Sequence, residues 1–245
     1  MKLTPIPRKS LSDSLYDQLR DAIVEGEIPP GQALPAERLL AEQAGVNRQA
    51  VREALQRLRQ SGLVTIVHGG GAYAADWRRA SDLGAMHEFM IDRTGAVRQQ
   101  AMADLSRMRN VMALDMVDIA CRRGSDEDRQ AVAAAVEKAA ALTGGGIDAS
   151  FADALEEVWT CLARASGNLA YRLAQAAFRS STAEVVASLS AQPAPEDLAR
   201  LMDLYRRLAA AVVARDRETA GQLTGTALRA AGALAQAAGV PGAKG

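Results

Sequence analysis

The residues best suited to recognition chemistry lie in one short stretch, "GVNRQAVREALQRLRQSG", from Gly45 to Gly62. If this stretch is a helix, Arg48, Gln49 and Arg52 fall on the face away from its apolar residues. An arginine guanidinium can donate two hydrogen bonds to guanine O6 and N7, and a glutamine amide can contact adenine or a phosphate. Residues in the first turns of a helix in the major groove are those that reach base edges. A solvated arginine face on an ordinary helix is the alternative.

Asn47 precedes these side chains and is predicted to be the N-cap of their helix. A capping asparagine commits its side chain to the backbone, but the helix N-terminus itself can receive a phosphate. The pattern therefore predicts that Asn47 contributes to anion binding through the helix end.

Three predicted helices and a hairpin position this stretch. The first spans 10–25, with apolar residues Leu11, Leu15, Leu19 and Ile23 on one face, and the second spans 34–45. The third runs from Asn47 to Ser61 and is closed by Gly62. Its buried stripe is predicted to be Val46, Ala50, Val51, Ala54, Leu55 and Leu58. "LVTIV" (63–67) and "AYAA" (72–75) read as antiparallel strands, which completes a winged helix-turn-helix.

The turn of the hairpin is "HGGG". Glycines let a backbone approach the sugar-phosphate chain closely, so Gly69 and Gly70 are candidate DNA contacts, and His68 can donate a ring N–H. A merely flexible hairpin with a loop histidine is the alternative.

Charge is balanced over the whole chain, with 29 basic and 29 acidic residues, but it is uneven locally. Between 48 and 79 there are six arginines (48, 52, 57, 59, 78 and 79) and two acids, Glu53 and Asp76. Such a block favours an electrostatic footprint for DNA confined to one region.

Cys121 and Cys161 are far apart and are expected to be free, buried thiols. "MKLTPIPRKS" lacks the apolar run of a signal peptide, so we expect a cytoplasmic, nucleoid-associated protein with no membrane partner.

From about 80 to 238 the apolar pattern is helical throughout, with breaks at 124–126, 143–148, 166–168 and 191–197. The fold class is therefore mainly α: an N-terminal winged helix-turn-helix and a C-terminal all-α bundle of six or seven helices. The predicted domains are 1–78 for DNA binding, 79–90 as a connecting segment, 91–240 for effector binding and dimerisation, and 241–245 as a tail.

The motifs "PPG", "LPAER", "GVNR", "VREAL" and "HGGG" follow one another in an order that resembles the GntR family of bacterial transcription regulators. The resemblance implies that Arg38, Arg48 and Arg52 hold the operator and that His68 and Gly69 lie in the wing. For Arg38, an ion pair with Glu37 or Glu42 is the alternative. Gln49 occupies a position that varies in the family, so no base preference is implied.

The helical C-terminal part resembles the FadR-type branch, many members of which hold a metal with one aspartate and three histidines. The pattern places Leu155, Trp159, Tyr205 and Ala227 where those ligands would be. The chain has only two histidines, His68 and His87, so a site with three histidine ligands is impossible. We therefore predict no metal and no cofactor, as in the fatty acyl-CoA-responsive members.

Five residues are candidate effector contacts: Arg109 for an anionic head group, and Trp159, Asn168, Tyr171 and Tyr205 for the wall or support of an apolar pocket. Each has a structural alternative. The aromatic residues suit a core, Asn168 suits a helix cap, and Arg109 could pair with Asp104 or Asp115.

The sequence thus predicts a homodimeric regulator that binds double-stranded operator DNA and responds to a small-molecule effector, for which a fatty acyl-CoA is the first candidate. A DNA-binding dimer without an effector, and a regulator responding to another small organic anion, are the alternatives. No nucleophile elbow, P-loop or H-x-x-x-H pattern supports an enzyme.

Overall fold

The computed structural model describes residues 10–67, 69–80, 89–90, 92, 94, 96–187, 189 and 191–239. The chain divides into two compact units, Met1–Gly95 and Ala96–Gly245. The predicted contact of His68, much of the predicted connecting segment 79–90 and the predicted tail 241–245 lie outside the described residues.

The first unit contains a three-helix cluster followed by a hairpin. Its elements are α1 (Leu11–Val24), α2 (Glu37–Ala44), α3 (Arg48–Gln60), β1 (Val64–Val67), β2 (Gly71–Ala74) and the short α4 (Trp77–Ala80). Local sequence sets the helix ends. Ser10 and Asp13 form a capping box at the start of α1. Gly45, with φ of 64°, ends α2 in the left-handed conformation. This arrangement confirms the predicted winged helix-turn-helix.

The core of this unit is formed by the apolar faces of the three helices and by the inner side of the hairpin. The predicted stripe of α3 is buried at Ala50, Val51, Ala54, Leu55 and Leu58, and Val46 packs against the cluster. In α1, Leu15, Leu19 and Ile23 are buried, but Leu11 is 58% exposed. Leu11 lies on the predicted face but is not packed, because the helix begins at this residue and the packed surface starts one turn later.

The second unit consists of six α-helices within its described residues, which confirms the predicted all-α bundle. They are α5 (Gln99–Arg123), α6 (Asp126–Ala140), α7 (Ala149–Ala165), α8 (Leu169–Ala187), α9 (Pro195–Val213) and α10 (Arg217–Ala237), with a 3-10 turn at Thr143–Gly145. A break between α9 and α10 has no glycine or proline. Arg215 adopts φ of 61° there, and Asp216 caps α10 by accepting a hydrogen bond from the Thr219 backbone N–H.

One hydrophobic cluster fills the interior of the bundle. It includes Val117, Val132, Val158, Leu162 and Val212, all of which are inaccessible to solvent. Cys121 and Cys161 are free and buried, as predicted. Desolvation raises the pKa of both thiols, which keeps them protonated and poorly nucleophilic. No helix in the described part of the chain is both long and apolar enough to cross a membrane.

Candidate DNA interface and ligand cavity

The N-terminal turn of α3 is exposed and carries the residues that the sequence singled out. The Asn47 side chain accepts a hydrogen bond of 2.8 Å from the backbone N–H of Ala50, so this side chain serves as the cap. Arg48 is exposed, and no ion-pair partner for it is found within the described residues. A free cation at a helix N-terminus, next to unpaired backbone N–H groups, is suited to bind an anion.

The other polar residues of this surface are held by intramolecular partners. Arg52 Nε lies 2.9 Å from Glu37 Oε2 on α2, and Gln49 Nε2 donates a hydrogen bond of 3.0 Å to Glu53 Oε1. Arg52, Gln49 and Glu53 are exposed and Glu37 is partly exposed, so the contacts contribute little stability and can be exchanged for other partners.

Arg38 pairs with Glu42 at 2.5 Å, on the exposed face of α2. This is one of the two ion pairs that the sequence offered as the alternative to a phosphate contact. A guanidinium has five N–H donors, so the pair leaves Arg38 with donors for a phosphate.

The hairpin is a short antiparallel ribbon in which Val64 pairs with Ala74 and Val67 with Gly71. An isolated bridge from Ala33 to Tyr73 supports the other edge of β2. At the tip, Gly69 has φ of 76° and Gly71 has φ of 94°, which are conformations that a residue with a Cβ rarely adopts. Gly70 has an ordinary φ, but a Cβ there would lie 3.0 Å from Val67 Cγ1. The predicted glycine contacts therefore lie at a tight tip whose backbone is accessible.

The second unit contains a cavity of about 500 Å³ between its helices. It brings together three of the five predicted effector contacts: Arg109 of α5, Trp159 of α7 and Tyr205 of α9. The remaining lining residues are Met102, Ser106, Asn110, Leu155, Glu156, Thr182, Leu228, Arg229, Ala231, Gly232, Ala233, Ala235 and Gln236. A mostly apolar cavity of this size, with a few polar groups, suits a small organic ligand.

Sequence reasoning missed the buried carboxylate of this cavity. Glu156 Oε1 accepts hydrogen bonds of 2.6 Å from Arg109 Nη2 and from Thr182 Oγ1. Its Oε2 accepts a third of 2.6 Å from Gln175 Nε2. The ion pair of Arg109 is therefore with Glu156, rather than with the Asp104 or Asp115 that sequence reasoning named. The pair is electrically neutral, and the Arg109 guanidinium also lies over the ring of Phe178.

Trp159 and Tyr205 pack edge to face, with ring centroids 5.9 Å apart. Tyr205 is buried, and this desolvation raises its pKa well above the ordinary value for tyrosine. Its hydroxyl group therefore stays protonated at any physiological pH and is available to a ligand only as a neutral polar group.

Asn168 and Tyr171 do not line the cavity. Asn168 Oδ1 accepts a hydrogen bond of 2.9 Å from the Ala170 backbone N–H, which is the cap alternative for this residue. Tyr171 donates its hydroxyl to Asp115 Oδ2 at 2.5 Å and so ties α8 to α5. Their effector roles would be indirect, through the placement of α8.

The four positions that the sequence resemblance aligned with metal ligands carry no histidine and no carboxylate. Leu155, Trp159 and Tyr205 line the cavity, and Ala227 is buried in the core. In the part of the chain that the structure describes, no three histidine, cysteine, aspartate or glutamate side chains are placed to hold a metal ion.

Two family models match the chain. Residues 11–73 match the model described as "Bacterial regulatory proteins, gntR family", and residues 104–230, more than half of the chain, match the FCD domain. Mce2R, an HTH-type transcriptional regulator of Mycobacterium tuberculosis, is 46% identical over 83 residues, which are 34% of this chain and 35% of the relative. The fatty acid metabolism regulator protein of Salmonella paratyphi B is 33% identical over 154 residues, 62% of this chain and 61% of the relative. The chain thus spans between a third and three-fifths of these relatives.

The fold is shared with solved structures at low sequence identity. Lar, which controls the expression of the Listeria monocytogenes agr system, aligns with a TM-score of 0.61 at 18% identity, over 95% of this chain and 99% of Lar. One family model matches each unit, and the description of the first is of bacterial regulatory proteins. The chain therefore belongs to the GntR family of bacterial regulatory proteins and carries the FCD domain in its C-terminal part.

Proposed function

We propose that this protein is a homodimeric, sequence-specific transcriptional regulator whose affinity for operator DNA is changed by a small molecule bound in the cavity of the second unit. The observation that carries the DNA-binding part is the exposed first turn of α3. It presents Arg48, Gln49 and Arg52 together with the open helix N-terminus, and glycines form the tip of the adjacent hairpin. In a dimer, two such helices would enter successive major grooves of a palindromic site.

The test of DNA recognition compares specific and random DNA. A binding site is first selected from a random duplex pool with the full-length protein, and affinity is then measured by fluorescence anisotropy. Arg48→Ala is expected to weaken binding to the selected site by about 1–3 kcal/mol and to affect random DNA much less. An equal loss of affinity for selected and random DNA would show that Arg48 contacts only the sugar-phosphate backbone of the DNA. Arg59→Ala, an exposed arginine near the C-terminal end of α3, is the matched control.

The effector part of the proposal rests on the cavity and on its charges. Arg109 is neutralised by Glu156, but Arg229 at the cavity is exposed and has no acidic partner within the described residues. An amphipathic organic anion would place its apolar part against Leu155, Trp159 and Leu228. The 33% identity to a fatty acid metabolism regulator makes a fatty acyl-CoA the first candidate. Its coenzyme A would extend out of a cavity of about 500 Å³.

Thermal unfolding tests this ligand class. Palmitoyl-CoA at about one hundred times its Kd should stabilise the folded protein by roughly 2.7 kcal/mol, a shift of several degrees, and free coenzyme A should not. Palmitoyl-CoA is also expected to release the protein from its selected operator DNA. An effector that favours a dimer arrangement unable to bind DNA lowers the population of the arrangement that binds it. No shift with palmitoyl-CoA would remove the acyl-CoA hypothesis. A shift with another small organic anion would identify the alternative ligand class.

A DNA-binding dimer without an effector remains the second candidate. The Glu156 carboxylate favours it, because the three hydrogen bonds that it accepts in the structure all come from the protein itself. A broad metabolite screen without any stabilising compound, together with intact operator binding, would select this candidate.

A further inference from the structure

The cavity of the second unit has a buried side and an exposed side. The buried side contains three residues of which none is more than 5% exposed, and we call them the floor: Glu156, Trp159 and Tyr205. The exposed side contains three polar residues, which we call the rim: Asn110, Arg229 and Gln236. A ligand that enters from solvent therefore passes the rim before it reaches the floor.

The charges at the floor cancel each other. Glu156 accepts a hydrogen bond of 2.6 Å from Arg109, and its other partners, Thr182 and Gln175, are neutral. An anion placed there would have to displace Glu156 from Arg109 or share the guanidinium with it. Removing the partner of a buried ion costs more than a partly exposed ion pair contributes. The floor is therefore suited to apolar or neutral groups and disfavours an anion.

Arg229 is the cation of the rim. It is exposed and pairs with no carboxylate among the described residues. Its Nη2 donates a hydrogen bond of 3.2 Å to Thr226 Oγ1, and a Cβ added at Gly225 would lie 3.3 Å from its Nη1. Thr226 thus holds the guanidinium along the helix, and Gly225 leaves the space that this position needs. Both neighbours are neutral, so Arg229 keeps its charge and most of its five N–H donors for a ligand.

We propose that the cavity is selective for amphiphiles with a single anionic end. Arg229 binds the anionic head at the rim, and the Arg109–Glu156 pair excludes a second anion from the floor, where Trp159 contacts the apolar end. The inference rests on the proposed effector function and names the ligand class and the head-group contact of the same cavity. The head is the carboxylate of a fatty acid or a phosphate of an acyl-CoA, since both accept charge-assisted hydrogen bonds from a guanidinium.

Isothermal titration calorimetry of the full-length protein tests the ligand class with three probes of equal chain length: dodecanoate, dodecanedioate and dodecanoyl-CoA. Dodecanoate is expected to bind at least about tenfold more tightly than dodecanedioate, because the second carboxylate of the dioate would be buried beside Glu156. Equal affinities for the two acids would overturn the proposal, and so would the absence of binding by both dodecanoate and dodecanoyl-CoA. Binding of dodecanoyl-CoA alone would support it with a phosphate as the head.

The head-group contact is tested by Arg229→Gln. This variant is expected to weaken the binding of dodecanoate and of dodecanoyl-CoA by at least about fivefold, because it replaces a charge-assisted hydrogen bond by a neutral one. Arg172→Gln is the matched control, since Arg172 is exposed, lies outside this cavity and has no ion-pair partner among the described residues. Binding of dodecanoyl-CoA that Arg229→Gln leaves unchanged would overturn this inference alone and leave the effector function intact.

The role of the floor is tested by Glu156→Gln. The amide keeps an oxygen acceptor for Arg109 and Thr182 but removes the negative charge, which leaves Arg109 as an unpaired cation. Dodecanedioate is therefore expected to bind this variant at least about tenfold more tightly than the wild type. A folded variant that binds dodecanedioate no better than the wild type does would show that the pair does not exclude anions. Circular dichroism checks the fold, and if the variant does not fold, the wild-type comparison and Arg229→Gln decide the proposal.

Discussion

At the scale of single residues, Glu156 illustrates what a sequence does not reveal. A glutamate in a helix is usually solvated, and nothing in "ALEEVWT" distinguishes Glu156 from Glu157. The distinction arises because α7 packs between α5 and α8, whose residues supply the donors 47 and 26 positions away in the chain. Arg109, Trp159 and Tyr205 were predictable as cavity residues from their types and positions, whereas their hydrogen-bond partners were not.

Removal of the Glu156 carboxylate should strongly destabilise the second unit. Glu156→Ala leaves Arg109, Thr182 and Gln175 without their acceptor, and we expect a loss of about 2–3 kcal/mol in the free energy of unfolding, since Arg109 retains some solvent. Glu157→Ala is the matched control, because its pair with Arg179 is exposed and is worth at most about 1 kcal/mol. Urea titration followed by circular dichroism measures both. Equal losses would mean that the buried network adds no stability.

A second residue-scale prediction concerns the partner of Arg52. Glu37 holds the Arg52 guanidinium and places a negative charge beside the proposed DNA surface. Glu37→Gln should therefore tighten operator binding by up to about fivefold, with little change in stability, because an exposed pair contributes at most about 1 kcal/mol. Anisotropy titrations at several salt concentrations measure this. Unchanged or weaker binding would mean that Glu37 positions Arg52 for DNA rather than competing for it.

At the scale of elements, the ends of the helices were the most predictable feature. Asn47 and Gly62 bracket α3, and Ser10 begins α1, because capping residues satisfy backbone groups that a helix leaves open. The break at 214–216 could not be predicted. Arg215 takes a left-handed conformation that its residue type does not favour, and the packing of α9 against α10 imposes the turn.

The glycines of α10 give a prediction at this scale. Gly221 and Gly232 both lie inside the helix, and an added Cβ would meet no atom within 4 Å at either position. Alanine should therefore raise the free energy of unfolding by about 0.5–1 kcal/mol in both variants. Only Gly232 lines the cavity, so Gly232→Ala is also expected to weaken the stabilisation by palmitoyl-CoA, whereas Gly221→Ala should not. Thermal unfolding with and without the probe measures both effects, and identical ligand shifts would place the ligand away from Gly232.

At the scale of the whole molecule, the net charge of zero gives no sign of DNA binding, whereas the uneven distribution of the charges does. The excess of arginine between 48 and 79 was visible in the sequence. The exposed apolar side chains of α5 and α8 were not, because Val111, Leu114, Leu169 and Leu173 match the apolar pattern of any buried helix. Only the packed bundle shows that these four side chains face outward.

The free energy of unfolding at low pH is a property of the whole chain, and carboxylates at the helix N-termini contribute to it. Hydrogen bonds from Ser125, and then the contact with Arg164, lower the pKa of Asp128 below its ordinary value. The folded state therefore binds the proton less tightly than the unfolded state, and this stabilisation is present above the unfolded pKa of about 4 and is lost as the pH falls further. Asp128→Asn should destabilise the protein at pH 7, and the deficit relative to wild type should shrink towards pH 2–3.

The neighbouring acid supplies the control for this prediction. Glu127 lies in the same first turn of α6 and makes no side-chain hydrogen bond within the described residues. Glu127→Gln removes the same charge near the helix N-terminus, so its effect measures the helix dipole alone, about 0.3–1 kcal/mol. Urea unfolding at a series of pH values separates the two contributions. If Asp128→Asn and Glu127→Gln had the same pH profile, the Ser125 cap and the Arg164 pair would contribute nothing beyond the general attraction of a helix N-terminus for negative charge.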